Sequence, residues 1–233
     1  MKTIILGPPG TGKTTTLLDL VDQFLKAGVD SKRIGYFSFT RKAAEEASSR
    51  AAEKFNLDAQ DDLPFFRTLH SLAFRTLGTK REQVMQTRDY KDFGSKVGIS
   101  IRLQHANNSD SDGTFTSDNE YLSLINKARV TEREVMDLYD DNNHYLDIER
   151  DTLYLLDREL KRYKQEKGMI DYADMLERFV EQDVSPSFDV LFIDEAQDLS
   201  PLQWRMVRSL WSKADKTYIA GDDDQAIFKW AGA

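Results

Sequence analysis

The chain has 233 residues, of which 40% are hydrophobic and 31% charged, and a formal net charge of −8. This composition suits a globular protein of one large domain or two modest ones. It argues against a non-specific nucleic-acid coat, though a local basic groove on an acidic body remains open. The absence of cysteine excludes disulfides, iron–sulfur clusters and thiolate zinc sites, and three histidines argue against an imidazole-rich metal site. A reducing cytoplasm is the expected setting. No stretch approaches the roughly 18 apolar residues of a membrane span. The short apolar run in MKTIILG is no secretory signal.

In chain order, residues 3–6 read as a buried strand that runs into a Gly/Pro turn, and 13–27 as a helix stopping near Gly28. RIGYFSFT (33–40) alternates and is aromatic-rich, so it reads as a strand. RKAAEEASSRAAEKF (41–55) is a helix, PFFRT (64–68) a third short strand, and 69–77 another helix. From 78 to 183 the chain turns helical and charged, with no good strand candidate, and the polar stretch at 107–119 reads as a mobile loop. YLDIERDTLYLLDRELKRYKQEKG (145–168) is amphipathic. Leu146, Leu153, Leu156, Leu160 and Tyr163 form its apolar stripe, and its lysines and arginines read as a solvent face. Strand character resumes at 187–198, a helix follows at 200–212, and 216–224 is a last strand. Strands alternating with helices predict a parallel α/β sheet with right-handed crossovers. The expected organisation is a discontinuous α/β domain, 1–78 and 184–233, with an all-helical subdomain, 79–183, inserted after the third strand.

GPPGTGKT (7–14) fits G-x-x-x-x-G-K-[ST] between a strand and a helix. Gly7, Gly10 and Gly12 let backbone N–H groups turn inward around an anion, and the helix N-terminus adds its dipole. Pro8, Pro9, Thr11 and Thr15 complete the cradle. Lys13 would reach the β- and γ-phosphates of a nucleoside triphosphate, and Thr14 would hold Mg²⁺. VLFIDEAQD (190–198) ends a hydrophobic strand in two carboxylates, an arrangement that needs a cation or a proton to handle. Asp194 is placed to bind Mg²⁺, and Glu195 to orient and deprotonate the attacking water. Asp198 or Ser200 remains to cap the helix that opens at PLQW. Together the two segments predict triphosphate hydrolysis.

Five blocks in order carry a resemblance to the superfamily 1 helicases of the UvrD/Rep type. GPPGTGKTTT (7–16) resembles motif I, FSFTRKAAEEA (37–47) motif Ia and RTLHSLAFRTL (67–77) motif Ib. LFIDEAQDLSPLQW (191–204) resembles motif II and YIAGDDDQAIFKWAGA (218–233) motif III; IDYADML (170–176) resembles the stretch leading back into the core. The resemblance implies a phosphate-loop (RecA-like) domain 1A carrying the helical insertion 1B. The implied activity is that of an ATP- and Mg²⁺-dependent helicase or translocase, monomeric and moving 3′ to 5′ on single-stranded DNA, with replication or repair proteins as candidate partners. Gln225 would sense the γ-phosphate and couple it to DNA. Phe39 and Thr40 would line the strand groove, His70 would contact the strand, and Phe228 and Trp230 would stack on bases. Arg41, Lys42, Arg67 and Arg75 lie near enough to these blocks to meet phosphates. Phe39 alternates with Phe37 and His70 sits between Leu69 and Leu72, so core packing is open for both, while Arg41 and Lys42 also fit a solvated helix start.

Three departures qualify the resemblance. WAGA follows motif III where the family continues into a second RecA-like domain, which predicts an N-terminal piece with weak or no activity by itself. The Gln-containing segment that contacts adenine upstream of the first strand has no counterpart, which loosens the expectation of ATP over other nucleotides. Ala231 stands where relatives often carry Arg. Another phosphate-loop phosphotransferase, or a nucleotide-binding module without unwinding activity, is the alternative.

Overall fold

A computed structural model describes residues 2–8, 10–101, 103–104, 116–117, 119–142 and 147–222, with the backbone alone at 103–104 and 116–117. The elements in chain order are β1 (Lys2–Leu6), α1 (Lys13–Lys26), β2 (Ile34–Ser38), α2 (Arg41–Phe55), β3 (Phe66–Thr68), α3 (Leu69–Thr76) and α4 (Thr87–Val97). They continue with β4 (Leu103–Gln104), β5 (Thr116–Ser117), α5 (Glu120–Val130), α6 (Val135–Asn142), α7 (Arg150–Lys167) and α8 (Tyr172–Glu181). The last three are β6 (Phe188–Asp194), α9 (Pro201–Ser212) and β7 (Ala214–Gly221).

Five strands form one parallel sheet in the order β1–β7–β6–β2–β3. The inner strands read as continuous apolar runs because both faces are covered, as parallel sheets require. On β2 and β6 the faces separate residue by residue. Ile34, Tyr36, Val190 and Phe192 pack under α1 and α2 with Leu17, Val21, Ala47 and Ala51. Phe37, Leu191 and Ile193 pack on the opposite face, under α3, α8 and α9, with Leu72, Phe179 and the fully buried Trp204. The order places β7 between the strand that enters the phosphate loop and the strand that ends in carboxylates. Register puts Leu6 beside Gly221 and Ser38 beside Asp194, so the C-terminal ends of β1, β7, β6 and β2 meet along one edge. Open α/β sheets bind ligands at such an edge.

A separate apolar cluster joins α4, α5, α6 and α7, and holds Leu153, Leu156, Leu160 and Tyr163 of the predicted stripe; Leu146 lies outside the described residues. Within 78–183 three sequence expectations differ from this structure. The block expected to lack strands contains the antiparallel pair β4–β5, two residues each and too short to leave an alternation pattern. α8 shares the core of the sheet with α3 and α9 and is absent from the helical cluster, because Ala173, Met175, Leu176 and Phe179 present one apolar face to the sheet. Lys164 is not part of a solvent face. It is buried and bonds Asp171 and Asp174, each at 2.6 Å.

Boundaries follow local capping chemistry. Thr68 caps α3 by accepting from the Ser71 amide at 3.2 Å. Ser200 caps α9, with Pro201 at the first helical position and Gln203 closing the reciprocal bond to the Ser200 amide. Of the two residues the sequence offered for that cap, Ser200 takes the role. β6 stops at Asp194, earlier than the predicted 198, because Glu195 turns left-handed at φ 54° and residues 196–198 coil into a 3₁₀ turn.

Candidate nucleotide-binding site

The phosphate loop leaves β1 at Gly7 and enters α1 at Lys13. Gly10 and Gly12 take φ of 78° and 82°, the left-handed region where a side chain is strained. A Cβ on Gly7 would come within 2.7 Å of the Thr11 hydroxyl. These glycines close the loop tightly over the first turn of a 14-residue helix, where free N–H groups and the helix dipole favour an anion. Pro8, Gly10, Thr11 and Thr15 line the exposed side of the turn; Pro9 lies outside the described residues. Lys13 is buried and folded back on the loop: its Nζ donates to the Gly7 carbonyl at 2.7 Å and the Pro8 carbonyl at 3.1 Å, and pairs with the Asp222 carboxylate. A phosphate arriving at Lys13 would have to exchange with the carboxylate that already pairs with the cation.

Asp194 is 1% exposed at the end of β6. The Tyr36 hydroxyl donates to its Oδ2 at 2.7 Å and the Glu195 amide to its Oδ1 at 3.0 Å, and the Thr14 hydroxyl lies beside the same carboxylate. Burial pushes the Asp194 carboxyl up, opposed by the Tyr36 hydrogen bond and the Thr14 hydroxyl. Burial, with Asp194 beside it, holds the Tyr36 phenol well above its ordinary value, so Tyr36 stays a donor. One hydroxyl and one carboxylate side by side, both hard oxygen donors, fit Mg²⁺, which takes few protein ligands and completes its shell with phosphate and water. Among the described residues no cluster of three or more His, Cys, Asp or Glu forms a self-sufficient cage.

Glu195 is half-buried, and its carboxylate accepts from Gln197 Nε2 at 2.7 Å. Gln197 Oε1 accepts from the Asp222 amide at 3.0 Å. Burial and the charge on Glu195 push the Asp198 carboxyl up. The sequence reading singles out neither Tyr36, Gln197 nor Asp222. Tyr36 and Gln197 sit inside or beside quoted motifs, yet nothing local says what they touch.

The second group of predicted residues lies at the ends of β2 and β3. Phe39 and His70 line one cavity of about 180 Å³ with Tyr172 and Leu176 of α8 and Asn126 and Val130 of α5. His70 is buried, edge-on to the Tyr172 ring at 5.6 Å. The Thr40 hydroxyl accepts from the Ala43 amide at 3.2 Å and caps α2. Arg41 is exposed and faces Glu45 one helical turn on. Arg67 has no acidic partner among the described residues; burial, with Arg75 nearby, pushes its guanidinium down to about 10. Gln225, Phe228 and Trp230 lie outside the described residues.

The family model of the UvrD/REP helicase N-terminal domain matches residues 1–233. DNA helicase II of Haemophilus influenzae is 26% identical over 244 residues, covering 99% of this chain and 33% of that protein. The ATP-dependent DNA helicase Rep of Buchnera aphidicola is 22% identical, covering 99% of the chain and 35% of the relative. For the ATP-dependent DNA helicase PcrA of Leuconostoc citreum the figures are 24%, 99% and 32%. The chain spans about a third of the length of these curated relatives. Among the described residues no helix is long and apolar enough to cross a membrane. On the full-length match of the family model, with the phosphate loop and the carboxylate strand end meeting at one sheet edge, the chain belongs to the UvrD/REP helicase N-terminal domain family.

Proposed function

We propose that this chain is the Mg²⁺-ATP-binding part of a DNA helicase or translocase that moves 3′ to 5′ along single-stranded DNA. The observation that carries the reading is the nearness of the Thr14 hydroxyl to the Asp194 carboxylate, which draws together two segments 180 residues apart in sequence as one candidate metal site. The loop amides and Lys13 bind and orient the triphosphate, Thr14 and Asp194 hold the metal, and Glu195 takes the proton of the attacking water. When bound, Mg²⁺ supplies charge neutralisation at the phosphate oxygens. Gln225 is assigned the sensing of the γ-phosphate, from the resemblance alone.

The strand path is proposed to cross the cavity between the sheet and α5. Phe39 offers a ring for base stacking, His70 a polar edge, and Arg67 and Arg75 cations for phosphate. Phe228 and Trp230 extend this platform by resemblance, with Thr40 and Arg41 at its rim. The α/β unit is proposed to take residues 1–78 and the chain from 184 onward, with α8 joined to it through its core. Replication or repair proteins are candidate partners, and the working state is taken as a monomer.

The test is binding. Lys13→Ala is expected to weaken a fluorescent ATP analogue about 10- to 150-fold, the loss of one charged hydrogen-bonding group, with single-stranded-DNA affinity kept. Phe39→Ala is expected to cost about 1–3 kcal/mol of single-stranded-DNA affinity by anisotropy, with the analogue still bound. Equal analogue binding by wild type and Lys13→Ala would sink the nucleotide site.

A further inference from the structure

Gln197 makes three contacts that the proposed chemistry does not use. Its Nε2 donates to Glu195 Oε2 at 2.7 Å and to Asp198 Oδ2 at 3.1 Å, while its Oε1 accepts from the Asp222 amide at 3.0 Å. The orientation of the carboxamide is dictated chemically. A backbone N–H can only donate, so the oxygen faces Asp222 and the NH₂ group faces the carboxylates. Asp222 in turn pairs with Lys13. Bonded groups therefore run without a gap from the cation of the phosphate loop, through the end of β7, to Glu195. Glu195 also sits at φ 54°, a left-handed conformation that a non-glycine residue holds only when its surroundings enforce it.

From this geometry we infer that Gln197 is a positioning residue for hydrolysis: it clamps the Glu195 carboxylate to the end of β7 and so couples the water-activating group to the state of the phosphate loop. The inference rests on the nucleotide-hydrolysis reading above. Gln197 touches no reacting atom. Exchange of Asp222 for phosphate at Lys13 would release the end of β7, and the carboxamide would carry that displacement to Glu195.

The test uses the protein as encoded, in full length. In Gln197→Met, which keeps the volume and removes all three bonds, kcat for ATP is expected to fall about tenfold, the loss of one charge-assisted hydrogen bond. KM for ATP and affinity for a non-hydrolysable analogue are expected to stay unchanged. Hydrogen exchange in the nucleotide-free protein should show the Asp222 amide losing protection. Gln197→Glu keeps an acceptor for that amide and removes the donor to Glu195, so protection should persist while kcat falls. Gln197→Met turnover within about twofold of wild type, or unchanged exchange at Asp222, overturns the clamp. So does a Gln197→Glu variant with normal turnover, which also decides the matter if Gln197→Met does not fold. Glu195→Gln separates the two claims: if it hydrolyses ATP like wild type, the hydrolysis reading has failed. If it is inactive while both Gln197 variants are normal, only the clamp has.

Discussion

Replacing Glu195 by Gln is expected to lower ATP turnover by about 10²–10⁴-fold, the usual contribution of a positioned general base, while Mg²⁺-ATP binding stays near wild type. Among the described residues Glu195 makes no bond to the phosphate loop, and the proposed binding side of the site, Lys13, Thr14 and Asp194, does not include it. Its carboxylate is half-buried at the sheet edge, beside the prospective metal ligand Asp194, where a water attacking the γ-phosphate can be met. The amide of Gln fills the same space and cannot take a proton. The measurement is phosphate release in the full-length protein, with single-stranded DNA present, beside analogue binding on the same preparation. A parallel loss of binding and turnover would mean that Glu195 helps build the site and does not act on water.

The second large effect concerns stability. Arg129 of α5 reaches α8 and the turn before it, donating to Asp171 at 2.6 and 2.8 Å, Asp174 at 2.6 Å and Glu177 at 2.9 Å. Lys164 of α7 completes the cluster on Asp171 and Asp174. The network joins the helical block to α8, which belongs to the core of the sheet. Arg129→Met is expected to cost about 3–5 kcal/mol, because removing one partner leaves buried carboxylates uncompensated. Urea denaturation checks it, and a cost under about 1 kcal/mol would show that the cluster behaves as a surface ion pair. The same cluster sets a pH dependence. Burial pushes the Asp171 carboxyl up, but Lys164 and Arg129 outweigh it and hold the group well below the usual carboxylate range. Its stabilisation is thus present above the unfolded value of about 3.9 and is lost as pH falls from there through the lower folded value. In Asp171→Asn the loss of stability below about pH 4 should be shallower, starting from a lower plateau at neutral pH.

The two halves of the nucleotide site were legible for different reasons. The loop at 7–14 announces itself because phosphate must be met by backbone, so glycines and one lysine recur at fixed offsets. Asp194 and Glu195 stand out because a buried apolar strand gains nothing from ending in two charges. The DNA-side residues were less legible. Phe39 and His70 do share a cavity, but Thr40 spends its hydroxyl on capping α2 and Arg41 lies exposed beside Glu45. No local pattern distinguishes a capping threonine from a ligand-facing one.

By itself the sequence determined the class of fold, the phosphate loop and the acidic strand end, since each is written in a run of neighbouring residues. Strand order was decided only in three dimensions. It sets β7 between β1 and β6, and thereby brings Asp222 to Lys13 and to Gln197. The burial of Lys164, which helical periodicity assigned to solvent, was decided there too. The physical reason is the same in each case. Periodicity reports which side of an element faces the interior, whereas a charge or an amide is placed by whichever partner the packing of distant segments supplies.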